Sequence, residues 1–501
     1  MRDGSSPLRL TRRAVLGALM GTAAGAAFAN APVRSIRPEP RDPELARNFV
    51  KPVQALIDEI GLTGKVGFLV ADAETGEVLE ARSPLLPLPP ASVTKAITAC
   101  YALDALGPDH RFKTRIRVTG PVVSGTVQGD IVLVGGGDPG LDTDALGDMA
   151  RDLKAAGVSA LTGAFRVCSE ALPTFASIDP EQPEHVGYNP SVSGLNLNYN
   201  RVHFQWKREQ GDYTVSMDAR AQRFSPTVSV ARMRVVDRRE PVYTYSDAGG
   251  SDEWTVARPA LGQGGSRWLP VRKPEAYVAE VFEALARAHG IALPRAEFAG
   301  TPPEGEDLVV RESKPLDEIL REMLLWSTNL TAEVAGLSAT AARGRQPATL
   351  ADSADEMSQW ARDALGAGHA ALVDHSGLSD ASRVSARDMV DALLAARKIG
   401  ALPGLLKEIP MRDEAGNVLP DHPVKIRAKT GTLNFVSALA GYVSVAGKRD
   451  LVFAYFSADM DARTASENSD DEVPAGARTW KSRSRLLQQK LIERWGTAFS
   501  A

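Results

Sequence analysis

The sequence predicts an α/β fold of the α+β kind, with an antiparallel sheet flanked by helices and a large, mostly β insertion that splits the domain. The first observation is a β-hairpin near the start, where alternating apolar residues flank the turn Glu74-Thr75-Gly76. The second is a set of three strand-like runs near the end, "PVKIRAKTG", "VSALAGYVSVAG" and "DLVFAYFSAD". The third is a helical periodicity that begins at about residue 315 and precedes those runs. A hairpin and three strands so far apart in the chain are expected to share one sheet around a long insertion.

Size and charge narrow the classes of function. The chain has 501 residues, which is enough for two or three domains. Its hydrophobic fraction of 44% and net charge of −4 are ordinary for a globular protein and give no sign of a nucleic-acid partner. Cys100 and Cys168 suit neither a disulfide framework nor a metal site, so both are expected to be small buried residues. The seven histidines are scattered, and neither a metal nor a cofactor is predicted.

The N-terminal residues 1–29 are typical of an export signal. The stretch "TRRAVLGALMGTAAGAAFA" has a basic start, a short apolar run and a small-residue cleavage site that ends at Ala29. The pair Arg12-Arg13 resembles a twin-arginine signal. The alternative is a short retained anchor helix. A cleaved signal predicts a periplasmic protein, and residues 30–44 are then a proline-containing linker.

The remaining chain divides into three parts. Residues 45–120 are predicted to form the first part of the split α/β domain, with a short helix, the hairpin and an apolar helix. Residues 121–310 form the insertion, where short β-like runs mix with turns and with helices near 143–156 and 276–289. Residues 311–501 are predicted to form the second part of the split α/β domain, which becomes the catalytic domain if the motifs described below carry catalysis. This part has four helical runs, the closing strands, an acidic loop and a last helix.

The last predicted helix carries an apolar stripe. Trp480, Leu487, Leu491 and Trp495 align along it, with basic residues between them. Packing of this stripe on the sheet is the preferred interpretation. The alternative is peripheral contact with a membrane surface.

The first polar motif is S-x-x-K in "LPPASVTKAITACYALDALG", which places Ser92 and Lys95 at the start of an apolar helix. Ser92 is a good N-cap and Lys95 could be an ordinary solvated residue, so the motif alone is weak. A nucleophilic serine needs a base, and Lys95 lies one turn later, within reach of the hydroxyl. Burial and a second nearby cation would lower the pKa of Lys95 toward neutrality, and Lys429 is the candidate cation.

Two further motifs follow in the chain. Ser327 and Asn329 lie between two helical runs in "LLWSTNLTAE", where a short loop could present both side chains, although both residue types also punctuate helices. The motif K-T-G, followed by Thr432, lies in the predicted edge strand "IRAKTGTLNF". The glycine at 431 would let another backbone come close.

S-x-x-K, S-x-N and K-T-G in this order form the signature of penicillin-binding proteins and serine β-lactamases. The sequence resembles one group among them, the class C low-molecular-mass penicillin-binding proteins, which are D-alanyl-D-alanine carboxypeptidase/endopeptidases of the S13 peptidase family. Four further segments carry the resemblance, namely "GDIVLVGGGDPGL", "YNPSVSGLNLNYNRV", "DHSGLSDASRVSARDM" and "AKTGTLNFVSALAGYV". The long gap between Ser92 and Ser327 matches the insertion of this family and argues against β-lactamases. The family usually has glycine where this chain has His375, which could narrow the cleft or alter substrate preference.

The resemblance implies a serine-type D,D-peptidase of peptidoglycan that removes terminal D-alanine and cleaves D-Ala cross-links through an acyl-enzyme. Its partners would be peptidoglycan stem peptides, with β-lactam antibiotics as acylating inhibitors. The catalytic residues would be Ser92, Lys95, Ser327, Asn329 and Lys429. Substrate contacts would come from Thr430, Gly431 and Thr432.

Within that scheme the side chains have separate tasks. Ser327 relays a proton to the leaving amine, and Asn329 holds the amide of the substrate. The backbone N–H groups of Ser92 and Thr432 form the oxyanion hole. Lys429, with Thr430 and Thr432, binds the terminal carboxylate.

Other patterns mislead. "GGGDPG" satisfies G-x-G-x-x-G without the βαβ context that nucleotide binding needs. The neighbours Asp374, His375 and Ser376 cannot converge as a triad. Two other functions stay open, a catalytically weak peptidoglycan-binding scaffold and a serine β-lactamase or esterase of the same fold.

Overall fold

The computed structural model of the chain describes residues 51–400, 402–413, 416–446, 448–466 and 472–499. The predicted export signal and linker lie outside the described residues. In chain order the helices are α1 (Val53–Ile60), α2 (Thr94–Leu106), α3 (Thr143–Ala155), α4 (Pro274–Ala288), α5 (Leu316–Trp326), α6 (Asn329–Ala342), α7 (Leu350–Leu365), α8 (Ala386–Lys398), α9 (Met460–Ser466) and α10 (Ala477–Ala498).

The strands occur mostly in runs that these helices separate. They are β1 (Lys65–Asp72), β2 (Val78–Arg82), β3 (Lys113–Val118), β4 (Val122–Val123), β5 (Thr126–Val127), β6 (Ile131–Val134), β7 (Ala160–Leu161), β8 (Phe165–Cys168), β9 (Arg201–Glu209), β10 (Asp212–Asp218), β11 (Ala231–Val236), β12 (Tyr243–Asp247), β13 (Asp252–Ala257), β14 (Gly264–Pro270), β15 (Glu297–Ala299), β16 (Glu306–Glu312), β17 (Glu408–Ile409), β18 (Val424–Leu433), β19 (Val436–Val445) and β20 (Leu451–Ala458).

The central sheet joins the two ends of the chain. Its six strands lie in the order β17-β18-β19-β20-β1-β2, and every neighbouring pair is antiparallel. The N-terminal strand β1 pairs with β20 in a continuous register that includes Phe68 opposite Tyr455. The fold class predicted from the sequence, an antiparallel sheet flanked by helices and interrupted by a β-rich insertion, is confirmed.

Both faces of this sheet are buried, although antiparallel sheets often leave one face in water. Successive residues of a strand point to opposite faces. On β1, Phe68 and Val70 pack on the side of α1 and α10, whereas Leu69 and Ala71 pack against the cluster that contains α2 and helices α5–α8. The sheet therefore fixes the position of α2, whose N-terminal end carries the first motif.

The apolar stripe of α10 packs on the sheet. Trp480, Leu487, Leu491 and Trp495 are at most 5% exposed, and Trp495 contacts the rings of Phe68 and Phe453. This burial supports the packing interpretation and leaves the stripe unavailable to a membrane surface. Among the described helices, none is both long enough and apolar enough to cross a membrane.

The insertion contains a separate hydrophobic core built around α3, α4 and its own sheets. The chain enters it along β3 and returns along β16, and these two strands pair with each other from Lys113 opposite Glu312 to Val118 opposite Glu306. The five-stranded sheet to which they belong has the order β15-β8-β6-β3-β16. The domain boundaries at residues 120 and 311 stay predictions.

Local structure differs from expectation after β20, and the cysteines behave as expected. Part of the predicted acidic loop is the helix α9, and residues 467–471 of that loop lie outside the described residues. Cys100 and Cys168 are both buried and free, so neither forms a disulfide.

Candidate active site

The turn that carries Ser92 is strained. Ala91 has a φ of 46°, in the left-handed region that non-glycine residues rarely adopt. It begins a short 3₁₀ turn, Ala91–Val93, which continues directly into α2. The interpretation of Ser92 as the N-cap of the helix is wrong, because the N-cap is Val93 and no side chain caps this end. The Ser92 hydroxyl is therefore free to meet Lys95.

Two glycines from distant parts of the chain enclose this turn. A Cβ on Gly377 would lie 1.9 Å from the carbonyl oxygen of Ala91. A Cβ on Gly431, in β18, would lie 2.7 Å from the carbonyl oxygen of Pro90. Only glycine permits so close a backbone approach. The close approach predicted for Gly431 is thus present, and its neighbour is the serine turn.

Lys95 is fully buried beside Ser92. Its Nζ lies 3.0 Å from Ser92 Oγ, 2.7 Å from Asn329 Oδ1 and 2.7 Å from the carbonyl oxygen of Ser376. Burial lowers the pKa of Lys95 from 10.5 to about 8, against the opposing negative charges of Asp374 and Glu333. The amine is therefore poised to lose a proton near neutral pH.

Lys429 is the second buried lysine of the site. Its Nζ donates to Ser327 Oγ at 2.9 Å and to the carbonyl oxygen of Thr430 at 2.8 Å. Burial holds the pKa of Lys429 well below its usual value, and the positive charges of Lys95 and Lys407 lower it further.

The second motif lies at the junction of α5 and α6, as predicted. Ser327 ends α5 in a left-handed conformation with φ of 60°, and its N–H donates to Met323. Asn329 begins α6, and its side chain bridges Lys95 and the carbonyl oxygen of Tyr188, to which Nδ2 donates at 2.9 Å. Tyr188 belongs to the insertion, so the insertion contacts the site directly.

Two buried carboxylates support the site. Sequence reasoning missed Glu333 and named Asp374 only in a pattern that it set aside. Glu333 lies one turn after Asn329 on α6 and accepts hydrogen bonds from the backbone N–H groups of His375 at 3.0 Å and Ser376 at 2.9 Å. Asp374 accepts from the backbone N–H groups of Gly377 and Ser379. Burial is the largest cause that raises the pKa of each, whereas the hydrogen bonds they accept and the positive charge of Lys95 lower it.

These carboxylates clamp the loop whose Ser376 carbonyl oxygen accepts from Lys95. The available signal was the four-residue spacing from Asn329 to Glu333, which places both on one face of a helix. Their burial could not be inferred, because acidic side chains are mostly exposed.

His375 does not narrow the cleft. Its ring is fully buried, Nε2 lies 2.8 Å from Ser353 Oγ, and Nδ1 lies 3.3 Å from the sulfur of Met357. A Cβ on Gly336 would lie 2.2 Å from the ring, so this helix glycine makes room for it. Burial lowers the pKa of His375 to about 3, which keeps the ring neutral.

A cleft of about 640 Å³ opens over Ser92 and is also lined by Ser327, Asn329 and Thr432. The edge of β18 that faces away from β19 forms one side of it. On that edge β17 pairs only with Ile426 and Arg427, and no described strand pairs with residues 429–432 there. The insertion forms another wall with residues that include Gln182 and Tyr188. The described residues contain no cluster of side chains suited to hold a metal ion.

Comparison with known proteins gives consistent matches. The model of the D-Ala-D-Ala carboxypeptidase 3 (S13) family matches residues 50–478. The D-alanyl-D-alanine carboxypeptidase of Actinomadura sp. (strain R39) is 28% identical over 427 residues, which cover 78% of this chain and 77% of that protein. The D-alanyl-D-alanine carboxypeptidase DacB of Haemophilus influenzae is 24% identical over 462 residues, or 84% and 93% of the two chains.

The fold is also that of a solved protein. The crystal structure of penicillin binding protein 4 (dacB) from Haemophilus influenzae matches with a TM-score of 0.70 at 19% identity, and the match covers 88% of this chain and 99% of that one. At this identity the likeness concerns the fold.

Proposed function

Since this chain belongs to the D-Ala-D-Ala carboxypeptidase 3 (S13) family and is a serine-type enzyme of that family, we propose that it hydrolyses the peptide bond after D-alanine in peptidoglycan stem peptides through an acyl-enzyme on Ser92. The substrates would be stem peptides that end in D-alanine and stem peptides that are joined by D-Ala cross-links. The observation that carries the proposal is the buried contact between Lys95 Nζ and Ser92 Oγ at 3.0 Å.

The other partners of Lys95 support its role as the base. A neutral amine has two N–H donors and one lone pair. Asn329 Oδ1 and the Ser376 carbonyl oxygen can only accept, so they take the two N–H groups. The lone pair is then left for the Ser92 hydroxyl, which is the group that must lose its proton to attack.

The reaction then proceeds in two halves. The proton of Ser92 moves to Lys95 as Oγ bonds to the carbonyl carbon of the substrate. The C–N bond breaks as this proton passes from Lys95 through the hydroxyl of Ser327, whose Oγ accepts from Lys429, to the leaving nitrogen, which leaves Lys95 neutral again. Water then attacks the ester carbonyl carbon and gives a proton to Lys95. Lys95 returns that proton to Ser92 Oγ as the ester bond breaks, which frees the acid and restores Ser92.

The edge of β18 suits the binding of the substrate backbone. An extended peptide can add to an uncovered strand through main-chain hydrogen bonds. Thr430 and Thr432, with the positive charge that Lys429 can carry, would bind the terminal carboxylate. The backbone N–H groups of Ser92 and Thr432 would stabilise the oxyanion.

β-Lactams would acylate the same serine. The Haemophilus influenzae protein of the same fold has a crystal structure complexed with a novel β-lactam. Export to the periplasm, through the signal at residues 1–29, would bring the enzyme to its substrate.

Mass spectrometry after exposure to penicillin, together with the release of D-alanine from a pentapeptide, tests the proposal. We expect a stable adduct on Ser92 and D-alanine release by the wild-type protein, and neither in Ser92→Ala. Rapid turnover of penicillin would indicate a β-lactamase instead. Binding of peptidoglycan without adduct or release would indicate the scaffold.

A further inference from the structure

A second, smaller cavity of about 150 Å³ lies beside the catalytic cleft. Tyr188, Ser327 and Asn329 line both of them, so the second motif stands between the two. The far side of the small cavity contains Tyr199, Arg201 and Trp326. Trp326 is 73% exposed, so its ring is open to a molecule that enters this cavity.

Arg201 is the unusual group in this cavity. Its Nε is buried and has no hydrogen-bond partner, and within the described part of the chain no carboxylate forms an ion pair with its guanidinium. The guanidinium carbon lies 5.1 Å from the ring centre of Tyr199 and 5.4 Å from that of Trp268. Two aromatic rings thus lie close to this charge, and a carboxylate could accept hydrogen bonds from the N–H groups of the guanidinium.

An unpaired, partly buried cation is costly to fold. Burial lowers the pKa of Arg201 below its usual value, yet a guanidinium stays charged in proteins. An anion that binds in the cavity and pairs with Arg201 would offset this free-energy cost.

The backbone that presents Arg201 is also strained. Asn198, Tyr199 and Asn200 all have positive φ, between 50° and 58°. The two asparagine side chains fix this turn, since Asn198 bonds to Thr143 and Asn200 bonds to the carbonyl oxygen of Ser191. Such strain persists where the surroundings over-determine it, often at ligand sites.

The proposed mechanism, on which this inference rests, says what enters the cavity. Ser327 protonates the leaving nitrogen, so the leaving group lies against Ser327. When terminal D-alanine is removed, the leaving group is a single residue that does not extend beyond Ser327. When a cross-link is cleaved, the leaving group is a second stem peptide, and the rest of this peptide must extend past Ser327. We propose that the cavity binds a carboxylate of this leaving strand through Arg201, and that it thereby favours cross-link cleavage over removal of terminal D-alanine.

A cross-linked stem-peptide dimer, compared with the same dimer in which the leaving-strand carboxylates are amidated except the one beside the scissile bond, tests this assignment. With wild-type enzyme, amidation should lower kcat/KM by about 10- to 100-fold, the range expected for a lost charge-assisted hydrogen bond. Arg201→Gln should lower kcat/KM for the unmodified dimer by a similar factor and abolish the effect of amidation. Arg201→Lys, which keeps the charge, should retain part of that effect. Arg232→Gln, an exposed arginine outside both cavities, is the matched control.

The hydrolysis of a monomeric pentapeptide shows which of the two peptide strands carries the carboxylate that Arg201 binds. Arg201→Gln should lower its hydrolysis by a much smaller factor than that of the dimer. An equal loss for monomer and dimer would place the carboxylate on the acyl-donor strand and overturn the assignment. Equal hydrolysis of amidated and unmodified dimers by the wild-type enzyme would do the same.

Calorimetry with the Ser92→Ala variant separates this inference from the proposed function. The unmodified dimer should bind about 10- to 100-fold tighter than the amidated dimer, and this preference should vanish in Ser92→Ala with Arg201→Gln. Carboxylate-dependent binding without hydrolysis by the wild-type protein would overturn the proposed function and support the anion site. Hydrolysis with no dependence on Arg201 would overturn the anion site and leave the proposed function intact.

Discussion

At the scale of single residues, the chemistry proposed for the site depends on the groups that surround the amine of Lys95. Lys95 is buried, which lowers its pKa, and it faces two fixed acceptors besides Ser92. The negative charges of Glu333 and Asp374 oppose that lowering. The result is a pKa of about 8, close to the operating pH at which a general base is most effective.

Acylation by penicillin should therefore increase with pH. In the proposed mechanism only the deprotonated form of Lys95 acts as the base, so the rate should rise by about tenfold per pH unit below its pKa and level off above about 8. Lys95→Ala should lose ~10²–10⁴-fold or more and show no rise, because no amine is left to deprotonate. Stopped-flow acylation between pH 6 and pH 10 measures both. A near wild-type rate in Lys95→Ala would refute the base assignment.

Lys429 should behave differently from Lys95. Lys429→Arg keeps the positive charge but replaces a compact ammonium with a wide fork. We expect a higher KM for substrates that end in a carboxylate, with some acylation of Ser92 retained. Steady-state kinetics on a pentapeptide and penicillin trapping check this, and complete loss of trapping would show that Lys429 is needed for the chemical step.

Glu333→Gln tests the clamp on the loop that contacts Lys95. Both carboxylate oxygens of Glu333 accept hydrogen bonds from backbone N–H groups. Glutamine has an NH₂ group in place of one of these oxygens, and this group would face a backbone N–H, which is also a donor. We expect the free energy of unfolding to fall by about 1.5–3 kcal/mol and acylation to slow. Chemical denaturation and penicillin trapping are the measurements. Glu356→Gln, which breaks an exposed ion pair with Arg345, is the control and should change little.

At the scale of elements, the site is an assembly of backbones that close on one strained turn. The 3₁₀ turn of Ser92, the loop with Gly377 and the strand with Gly431 come from three separate segments. Each approach distance is set by a glycine. The geometry therefore depends on tertiary packing more than on local propensity.

Gly377→Ala should damage the site more than a matched glycine change. Gly377 and Gly366 have nearly equal φ values, 70° and 71°, so alanine at either position carries a similar backbone cost of about 1–2 kcal/mol. Only at Gly377 would the added methyl meet a backbone oxygen, whereas at Gly366 its nearest atom is 3.9 Å away. We expect Gly377→Ala to lose more than about 3 kcal/mol of stability, or to lose acylation. Gly366→Ala should lose only the backbone cost of about 1–2 kcal/mol and should keep acylation. Equal effects in the two variants would show that the contact with Ala91 is unimportant.

Sequence patterns predicted the elements well where the pattern is local. The hairpin, the closing strands and the junction that carries Ser327 and Asn329 all follow from periodicity and turn residues. The capping role of Ser92 was wrong, because the left-handed Ala91 changes the entry to α2 and no side chain caps this end of the helix. The burial of Glu333 and the loop around Asp374 arise from contacts between segments distant in sequence, which no local pattern encodes.

At the scale of the whole molecule, the cleft over Ser92 is formed by two parts of the chain, the insertion and the remainder. Arg267 of the insertion pairs at 2.8 Å with Glu472 of the segment after α9, and Tyr188 receives the hydrogen bond of Asn329. The insertion thus supplies a wall that the catalytic domain alone lacks.

Export is a property of the full chain and can be tested as such. We expect cleavage near Ala29, since residues 27–29 form a small-x-small site. N-terminal sequencing of the periplasmic protein checks this, and an intact Met1 would contradict it. Replacement of Arg12 and Arg13 by lysine should block export if the route is twin-arginine. Unchanged export would point to the general secretory route.

The pairing of β3 with β16 has a consequence for how such enzymes diversify. The chain leaves and re-enters the catalytic part through neighbouring antiparallel strands, whose paired Cα atoms lie about 5 Å apart. The junction is therefore a hairpin whose tip has been opened to admit almost two hundred residues. Genetic exchange at that tip would replace one insert with another while Ser92 and Lys95 keep their positions. Related chains would then differ in the wall of the cleft and share the proposed nucleophile.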